Sequence, residues 1–239
     1  MDIVEALSAR RGTTCFVGAG GKKTTMATLA GRLDRAVVTA TVRIPLFDSW
    51  VERVTVTDDP RAAAESTDDR PLGVVPERER DDRYRGYDLE TVDDLAALAE
   101  PVLVKADGAR MRRFKAPSDR EPQLPSTAST VVPIASVHVV GEPLDDDRVH
   151  RVDRVAALTD REPGDPIQPA DVARVLVSEE GGRKDVPDDA TVVPLLNMVD
   201  DDDLEATARE VAAEIHEQAD VPRVVLTEMR AENPLVDVV

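Results

Sequence analysis

The 239-residue sequence has little of several residue types, and each shortage removes a class of site. The single cysteine, Cys15, lies in the apolar run CFV, so we expect it to be a small buried hydrophobic residue. One cysteine can form neither an internal disulfide nor a cysteine-based metal site. Three histidines without spaced partners argue against a histidine metal site.

Long apolar runs are also missing. No stretch has the length of a membrane span, and the first residues, MDIVEALSARRG, lack the apolar core of a signal peptide. We therefore expect a cytoplasmic protein that does not associate with membranes.

Positive charge is scarce: 30 basic residues face 48 acidic ones, which gives a formal net charge of −18. Such a field repels phosphate, so a nucleic-acid or acidic-lipid partner is not expected. The acidic residues occur in short, dispersed patches, and the composition resembles that of proteins adapted to high salt, as in haloarchaea. Any anionic ligand would need a local positive site.

Lysine is rarer still. The five lysines are Lys22, Lys23, Lys105, Lys115 and Lys184, and each lies in or beside a segment with glycine or proline. Chance placement is one explanation. The other is that several of them act as point charges toward a phosphate-like ligand.

Short apolar strands alternate with amphipathic helices along the chain. Strands are predicted at 13–18, 36–41, 53–57, 102–108, twice within 130–141, at 191–198 and at 223–229. Helices are predicted at 2–9, 24–34, 89–100, 151–158, 169–178 and 203–219. This alternation predicts a three-layer α/β fold with a mostly parallel sheet. No element is predicted at 60–88, and 110–130 is predicted to be a long functional loop.

The segment FVGAGGKKTT (16–25) joins a predicted buried strand to a predicted helix. Glycines let successive N–H groups converge on an anion, and the helix adds free amides and a positive end. A lysine there contacts phosphates, and a threonine hydroxyl can hold Mg²⁺. The predicted nucleotide-binding residues are Gly18, Ala19, Gly20, Gly21, Lys22, Lys23, Thr24 and Thr25. A plain turn is the alternative, but two cations at a helix N-terminus argue against it.

The strand VLVKADG ends at Asp107, which places a carboxylate at the edge where parallel sheets bind ligands. In phosphate-loop proteins such an Asp holds or orients Mg²⁺. We therefore predict Thr24 and Asp107 as metal ligands, and Lys22, Lys23 and Asp107 as catalytic candidates. Taken alone, an Asp-Gly turn would explain Asp107 equally well.

The segment LLNMVD (195–200) places Asn197 and Asp200 at the end of another predicted strand. It resembles the guanine-reading NKxD element of GTPases, with Met198 in place of the lysine. Both residues are predicted to bind nucleotide, and a simple Asn/Asp turn is the equal alternative.

A second group of residues is predicted to contact a substrate or another anion. Its members are basic residues and one histidine near the predicted strand ends: Arg43, Arg110, Arg113, Lys115, His150, Arg151 and Lys184. Charge-assisted contacts to phosphate would explain them. Solvated basic residues paired with nearby carboxylates are the alternative.

The run KADGARMRRFKAPSDREPQLP (105–125) resembles a characteristic block of the YqeC family. Further similar segments follow in order: GEPLDDDRVHR, SEEGGRKDVP, LLNMVD and RVVLTEM. The loop GAGGKKTT resembles the family's GAGGKT[ST], and TATVRIP its second-strand motif. The chain departs from the family pattern at three positions, with Lys23 for a threonine, Met198 for a lysine, and Lys105 for an acidic residue.

The resemblance implies a P-loop NTPase-like fold with a Walker A-like loop, in a protein that assists selenium-dependent molybdenum hydroxylases. Residues 1–160 would form the nucleotide-binding core, and 161–239 an α/β extension that completes the same domain. We expect ATP or GTP with Mg²⁺, and a hydroxylase or its cofactor as partner. Since no general base can be named, turnover as an NTPase or nucleotide-dependent transferase stays open. The alternatives are a non-hydrolysing carrier of a pyrophosphate-containing cofactor, such as a molybdopterin dinucleotide, and a regulatory protein with a decayed loop.

Overall fold

The computed structural model describes residues 1–98 and 100–239, and its helices and strands alternate along the chain. The helices are α1 (Ile3–Ala6), α2 (Lys22–Ala30), α3 (Pro60–Glu65), α4 (Leu89–Leu95), α5 (Val152–Thr159), α6 (Pro169–Val177) and α7 (Asp202–Gln218). The strands are β1 (Thr13–Gly18), β2 (Val37–Ala40), β3 (Ile44–Pro45), β4 (Arg53–Val56), β5 (Leu72–Val75), β6 (Arg83–Tyr84), β7 (Val102–Lys105), β8 (Phe114–Lys115), β9 (Ala128–Ser136), β10 (Val149–His150), β11 (Thr191–Val192), β12 (Leu195–Asn197), β13 (Val225–Thr227) and β14 (Leu235–Val238).

One large sheet organises the chain. Its strand order is β14-β13-β12-β9-β1-β7-β2-β5-β4, and β11 pairs with β9 beside β12. Every pairing in it is parallel except β13 with β14. Two small pairs, β3 with β6 and β8 with β10, lie outside it. The predicted α/β fold with a mostly parallel sheet is confirmed, and it is consistent with a P-loop NTPase-like architecture.

Helices cover both faces of the sheet and give three layers. In β1, Phe16 packs in a cluster with residues of α1 and α2, whereas Cys15 and Val17 pack on the opposite face with residues of α3 and α4. Helices α5, α6 and α7 pack in a further cluster on that second face. Burial on both faces explains why the run CFV in β1 is apolar without alternation.

Several predicted elements differ from the observed ones. The second strand predicted within 130–141 is a 3₁₀ turn, Val137–Val139, because the Ser136 hydroxyl accepts a hydrogen bond from the His138 N–H and ends the strand. The strand predicted at 191–198 is interrupted at Pro194, which has no N–H to donate. Strand β5 lies within 60–88, where no element was predicted, because a four-residue run flanked by polar chain gives a weak periodic signal.

Helix ends also shift. Helix α1 ends at Ala6 and α4 at Leu95, so both are shorter than predicted, and α2 begins two residues before the predicted start. The part of the predicted helix 89–100 that falls on residue 99 lies outside the described residues. Among the residues that the structure describes, no helix is long and apolar enough to cross a membrane.

The parallel order brings distant segments to one edge of the sheet. Strands β1, β7, β9, β12 and β13 all end at this edge, and their last residues are followed by the glycine loop, Asp107, His138, Met198 and Glu228. Parallel α/β sheets bind ligands at such an edge.

Candidate functional site

The glycine loop between β1 and α2 has a conformation that requires glycine at two positions. Gly20 and Gly21 have φ angles of 91° and 146°. A Cβ atom would lie 2.5 Å from the Ser136 nitrogen at Gly20, and 2.1 Å from the Asn197 Nδ2 at Gly21. The first backbone bond of α2 runs from the Thr25 N–H to the Gly21 carbonyl, at 2.9 Å. The amides before Thr25 in this helix therefore have no intrahelical acceptor and can donate to an anion.

Asn197, at the end of β12, holds this loop from behind. Its Nδ2 donates to the Gly20 carbonyl at 2.8 Å. Its Oδ1 accepts from the Thr227 hydroxyl at 3.1 Å and from the Met229 N–H at 3.3 Å. The Asn197 side chain thus makes its hydrogen bonds to the protein, and it links the glycine loop to two neighbouring strands.

Beneath the loop, Asp107 lies between two lysines. The Lys22 Nζ is 2.7 Å from Asp107 Oδ1, and the Lys115 Nζ is 2.8 Å from Oδ2, which also accepts from the Gly18 N–H at 2.8 Å. Oδ1 makes no hydrogen bond of regular geometry within the described residues, so its contact with Lys22 is mainly electrostatic. All three side chains are at most 5% exposed.

Further charges surround this pair of contacts. Glu121 is 3.0 Å from Lys115 and 2.7 Å from Arg151, and the Lys105 Nζ donates to the Arg43 carbonyl at 2.8 Å. We call Lys22, Lys105, Asp107, Lys115, Glu121 and Arg151 the buried cluster. It contains four cationic side chains and two carboxylates, so positive charge is in excess in an otherwise acidic protein.

The cluster shifts the pKa values of its members. Burial raises the pKa of Asp107, but Lys22 and Lys115 outweigh burial and hold that pKa below its usual value. Burial lowers the pKa of Lys22 although Asp107 opposes the change. Burial, and next the charge of Lys22, lower the pKa of Lys105 to about 7. Within this cluster, Lys105 can therefore lose its proton near neutral pH.

Above the loop lies an open cavity of about 290 Å³, which we call the cationic cavity. Among the described residues, those that line it are 20–24 of the loop, Ala109, 111–113, Met198 and Arg230, and none of these is a carboxylate. Lys23, Arg112, Arg113 and Arg230 make no ion pair within the part of the chain that the structure describes. The cavity therefore offers several uncompensated positive charges next to the helix amides.

A second cavity, of about 410 Å³, shares Thr24, Arg113, Met198 and Arg230 with the first. We call it the adjoining cavity. His138, Asn197, Asp200, Glu228 and Met229 complete its lining. The two cavities form one continuous surface over the ends of β1, β12 and β13.

Comparison with known proteins identifies the family. The YqeC protein family model matches residues 14–153, which is more than half of the chain. This chain belongs to the YqeC family. A relative from Escherichia coli K12, named "Uncharacterized protein YqeC", is 27% identical over 190 residues, which cover 76% of this chain and 73% of the relative. The predicted family membership is confirmed.

In this YqeC family member the predicted phosphate-binding residues separate into two layers. Gly20, Gly21, Lys22, Lys23 and Thr24 line the cationic cavity, together with Arg113. Gly18 and Asp107 lie below, and Ala19 donates its N–H to the Ile134 carbonyl at 2.8 Å. Thr25 is buried, and its hydroxyl donates to the Gly21 carbonyl at 3.2 Å.

The predicted substrate or anion residues divide more sharply. Lys115 and Arg151 belong to the buried cluster. His150 is half-buried next to it, where burial, followed by Arg151 and Lys115, lowers the pKa of His150 to about 4. Arg110 is exposed and lines neither cavity. Arg43 pairs with Glu79 at 2.5 Å and Lys184 pairs with Asp185, so the structure brings neither to the cavities.

The predicted metal ligands fit Mg²⁺ only in part. Asp107 has an ammonium group within 2.8 Å of each carboxylate oxygen, and both would repel a divalent cation. Within residues 1–98 and 100–239, no group of three His, Cys, Asp or Glu side chains could hold a metal ion. Asp107 as arranged does not fit as a direct metal ligand. Thr24 lines both cavities, and a threonine hydroxyl suits a metal that enters with a phosphate ligand.

Sequence reasoning missed His138, Glu228, Met229 and Arg230, which line the adjoining cavity. The last three directly follow β13, in the segment TEMR. The rule that ligands bind at the carboxyl ends of parallel strands would have selected them, since β13 had been predicted as a strand.

Proposed function

We propose that this YqeC family member binds the phosphates of a nucleoside triphosphate, ATP or GTP, in the cationic cavity. The observation that carries the proposal is the set of unpaired cations around the amides of the glycine loop. In a chain with a net charge of −18, carboxylates are abundant, and most arginines elsewhere in the described residues pair with them, as Arg35 does with Glu100. Four cations at one cavity that have no such partner among the described residues indicate an anionic ligand.

Each layer of the site would have its own task. The amides of α2 and the side chains of Lys23, Arg112, Arg113 and Arg230 would neutralise phosphate charge directly. Lys22 lines the cavity but is held by Asp107 and by the Gly18 carbonyl, so a phosphate would compete with Asp107 for it. Lys115 would then remain as the counter-ion of Asp107. Thr24 is the residue that would help to hold Mg²⁺, which would neutralise part of the phosphate charge.

A non-hydrolysing carrier of a pyrophosphate-containing cofactor is the second candidate. A general base must reach its proton within hydrogen-bonding distance. No described residue that lines the cationic cavity is a carboxylate or a histidine, and both oxygens of Asp107 are engaged by lysines. This composition suits binding and orientation of phosphates better than activation of a water.

Calorimetric titration with ATP, GTP and tripolyphosphate, with and without Mg²⁺, tests the proposal. We expect all three to bind, and Lys22→Ala and Lys23→Ala each to weaken binding by about 10–100-fold, as for the loss of a charge-assisted contact. Arg209→Ala is the control, since it removes one positive charge from the exposed face of α7. Absence of binding at every salt concentration, or parental affinity in both lysine variants, would contradict the proposal. Phosphate release in the same samples separates hydrolysis from carriage.

The accessory role in molybdenum hydroxylase maturation is supported by the family resemblance. It predicts that a molybdenum hydroxylase purified from cells without this protein contains a smaller amount of complete cofactor per enzyme. Re-expression of the parental chain is expected to restore this cofactor content. Expression of the Lys22→Ala variant is expected not to restore it. Unchanged cofactor content in the cells without the protein would contradict this role.

A further inference from the structure

The adjoining cavity differs in chemistry from the cationic cavity. Among its lining residues, Met198 and Met229 are apolar, and Glu228, Asp200 and His138 carry ionisable groups of kinds that do not line the cationic cavity. Its volume of about 410 Å³ is in the range of small-molecule pockets. Two methionines beside carboxylate and amide acceptors suit a flat heterocycle, because thioethers pack well on aromatic faces.

The two carboxylates in this cavity are in different states. Asp200 is engaged, since its Oδ2 lies 2.9 Å from the His138 Nε2. Glu228 is half-buried, and its carboxylate makes no ion pair or hydrogen bond with any residue of the described ranges. Its backbone is nevertheless fixed, because the Glu228 N–H donates to the Pro234 carbonyl at 2.9 Å and the next N–H, of Met229, donates to Asn197 at 3.3 Å.

Because the backbone is held here, the Glu228 carboxylate offers acceptors at the cavity that no donor among the described residues occupies. An ionised glutamate offers two adjacent oxygens and no hydrogen, so it pairs best with two adjacent N–H groups. Repulsion from phosphate excludes the phosphate end of a ligand from its immediate neighbourhood. The donor must therefore come from the other end of the ligand, or from a ligand with no phosphate.

We propose that the adjoining cavity binds the heterocycle of the ligand, and that Glu228 selects a 2-amino-4-oxopyrimidine edge. This inference rests on the proposed phosphate site, whose cavity shares Thr24, Arg113, Met198 and Arg230 with this one. Guanine and pterins both have this edge, which presents a ring N–H beside an amino group. Adenine presents a ring nitrogen lone pair beside its amino group and would place that lone pair against the carboxylate.

The test compares the affinities of GTP, ITP, ATP and tripolyphosphate for the parental chain and for Glu228→Gln. Inosine retains the ring N–H and lacks the amino group, so we expect affinity to fall in the order GTP, ITP, ATP. GTP is expected to bind at least about 10-fold more tightly than ATP, as for one hydrogen bond to a charged group. In Glu228→Gln, GTP is expected to lose about 10–100-fold while tripolyphosphate changes by less than about 3-fold.

Glu232→Gln is the matched control, because it removes the same charge from an exposed residue of the same segment that lines neither cavity. A pterin that carries a pyrophosphate distinguishes the two sources of the edge. Tighter binding than GTP would identify a pterin ligand, and weaker binding a guanine nucleotide, and either result supports the edge.

Equal affinities for GTP and ATP in the parental chain would overturn the inference, as would parental GTP affinity in Glu228→Gln. If tripolyphosphate still binds in those cases, the proposed phosphate site stands. Failure of tripolyphosphate to bind the parental chain would instead contradict the phosphate site. If Glu228→Gln does not fold, the relative affinities of the parental chain for GTP, ITP and ATP still test whether the cavity selects this edge.

Discussion

Lys22 and Lys23 are neighbours in sequence, yet they lie in two regions that differ in how positive charge is compensated. Lys22 is 5% exposed and in contact with Asp107, within the buried cluster. Lys23 is half-buried, lines the cationic cavity and makes no ion pair within the described residues. A buried charge is stable only with a partner, whereas a charge in contact with water can remain unpaired until a ligand arrives. The comparison therefore separates charges that stabilise the fold from charges available to a ligand.

The buried cluster shows how far such pairing extends. Its two carboxylates, Asp107 and Glu121, contact Lys22, Lys115 and Arg151. Within residues 1–98 and 100–239, the Lys105 ammonium has only the Arg43 carbonyl as a hydrogen-bond acceptor. Lys105 is also the member whose pKa falls to about 7. The two carboxylates of the buried cluster therefore do not compensate the charges of all four cationic side chains.

The largest effect expected from this comparison concerns Asp107. Asp107→Asn leaves Lys22 and Lys115 buried with less compensation, and removal of one partner from a buried ion pair costs about 3–5 kcal/mol of unfolding free energy. Urea unfolding followed by circular dichroism measures the loss. Asp119→Asn removes an exposed carboxylate that pairs with Arg154 at 2.9 Å, and it is expected to cost less than about 1 kcal/mol.

Equal costs for Asp107→Asn and Asp119→Asn would remove the distinction between the two kinds of ion pair. A double variant, Asp107→Asn with Lys22→Met, sharpens the test. It removes one of the two ammonium groups that face Asp107, so we expect it to recover part of the lost stability.

The next effect concerns pH and Lys105. The pKa of Lys105 is about 7 in the folded protein and its ordinary value is 10.5, so between these values the unfolded chain binds the additional proton. The unfolding free energy of the parental chain, relative to Lys105→Met, should therefore rise with pH above about 7, by at most about 1.4 kcal/mol per pH unit. Below pH 7 both states are protonated, and the difference between the two chains should level off.

Urea unfolding of both chains from pH 6 to 9 measures this difference. The charged groups that act on Lys105 are Lys22, Asp107, Lys115 and Glu121. Addition of tripolyphosphate brings negative charge to the adjacent loop and should shift the rise to higher pH. A constant difference between the two chains over this pH range would show that Lys105 keeps its ordinary pKa.

The sequence sufficed for the part of the site that depends on local order along the chain. Strand, glycine turn and helix at 13–30, and Asp107 after a strand, follow from local patterns, because backbone conformation and strand ends are encoded nearby. The partners of each charge were not predictable. Whether Lys115 faces a ligand or Asp107 depends on how the loop 110–130 folds back, which no spacing in that loop encodes.

Arg43 and Arg230 are two further cases in which the sequence did not predict the partners of a charged residue. Arg43 follows a predicted strand and was expected near the ligand, but its guanidinium pairs with Glu79. Arg230 also follows a predicted strand and was not considered, yet it lines both cavities. Position at the sheet edge selects candidates, and only the three-dimensional arrangement of neighbouring carboxylates decides which cations remain unpaired.

The smallest effect expected is that of Arg230→Ala, and it tests the cationic side of the comparison. Arg230 is exposed and has no ion pair in the described part of the chain, so its removal should change the unfolding free energy by less than about 0.5 kcal/mol. Tripolyphosphate affinity should nevertheless fall by about 5–10-fold, and binding should become less sensitive to salt, because one screened attraction is lost. Calorimetry at two salt concentrations measures both. Arg209→Ala, the control, should change neither. Parental affinity in Arg230→Ala would mean that the segment after β13 does not contribute to phosphate binding, and would restrict the site to the loop and residues 111–113.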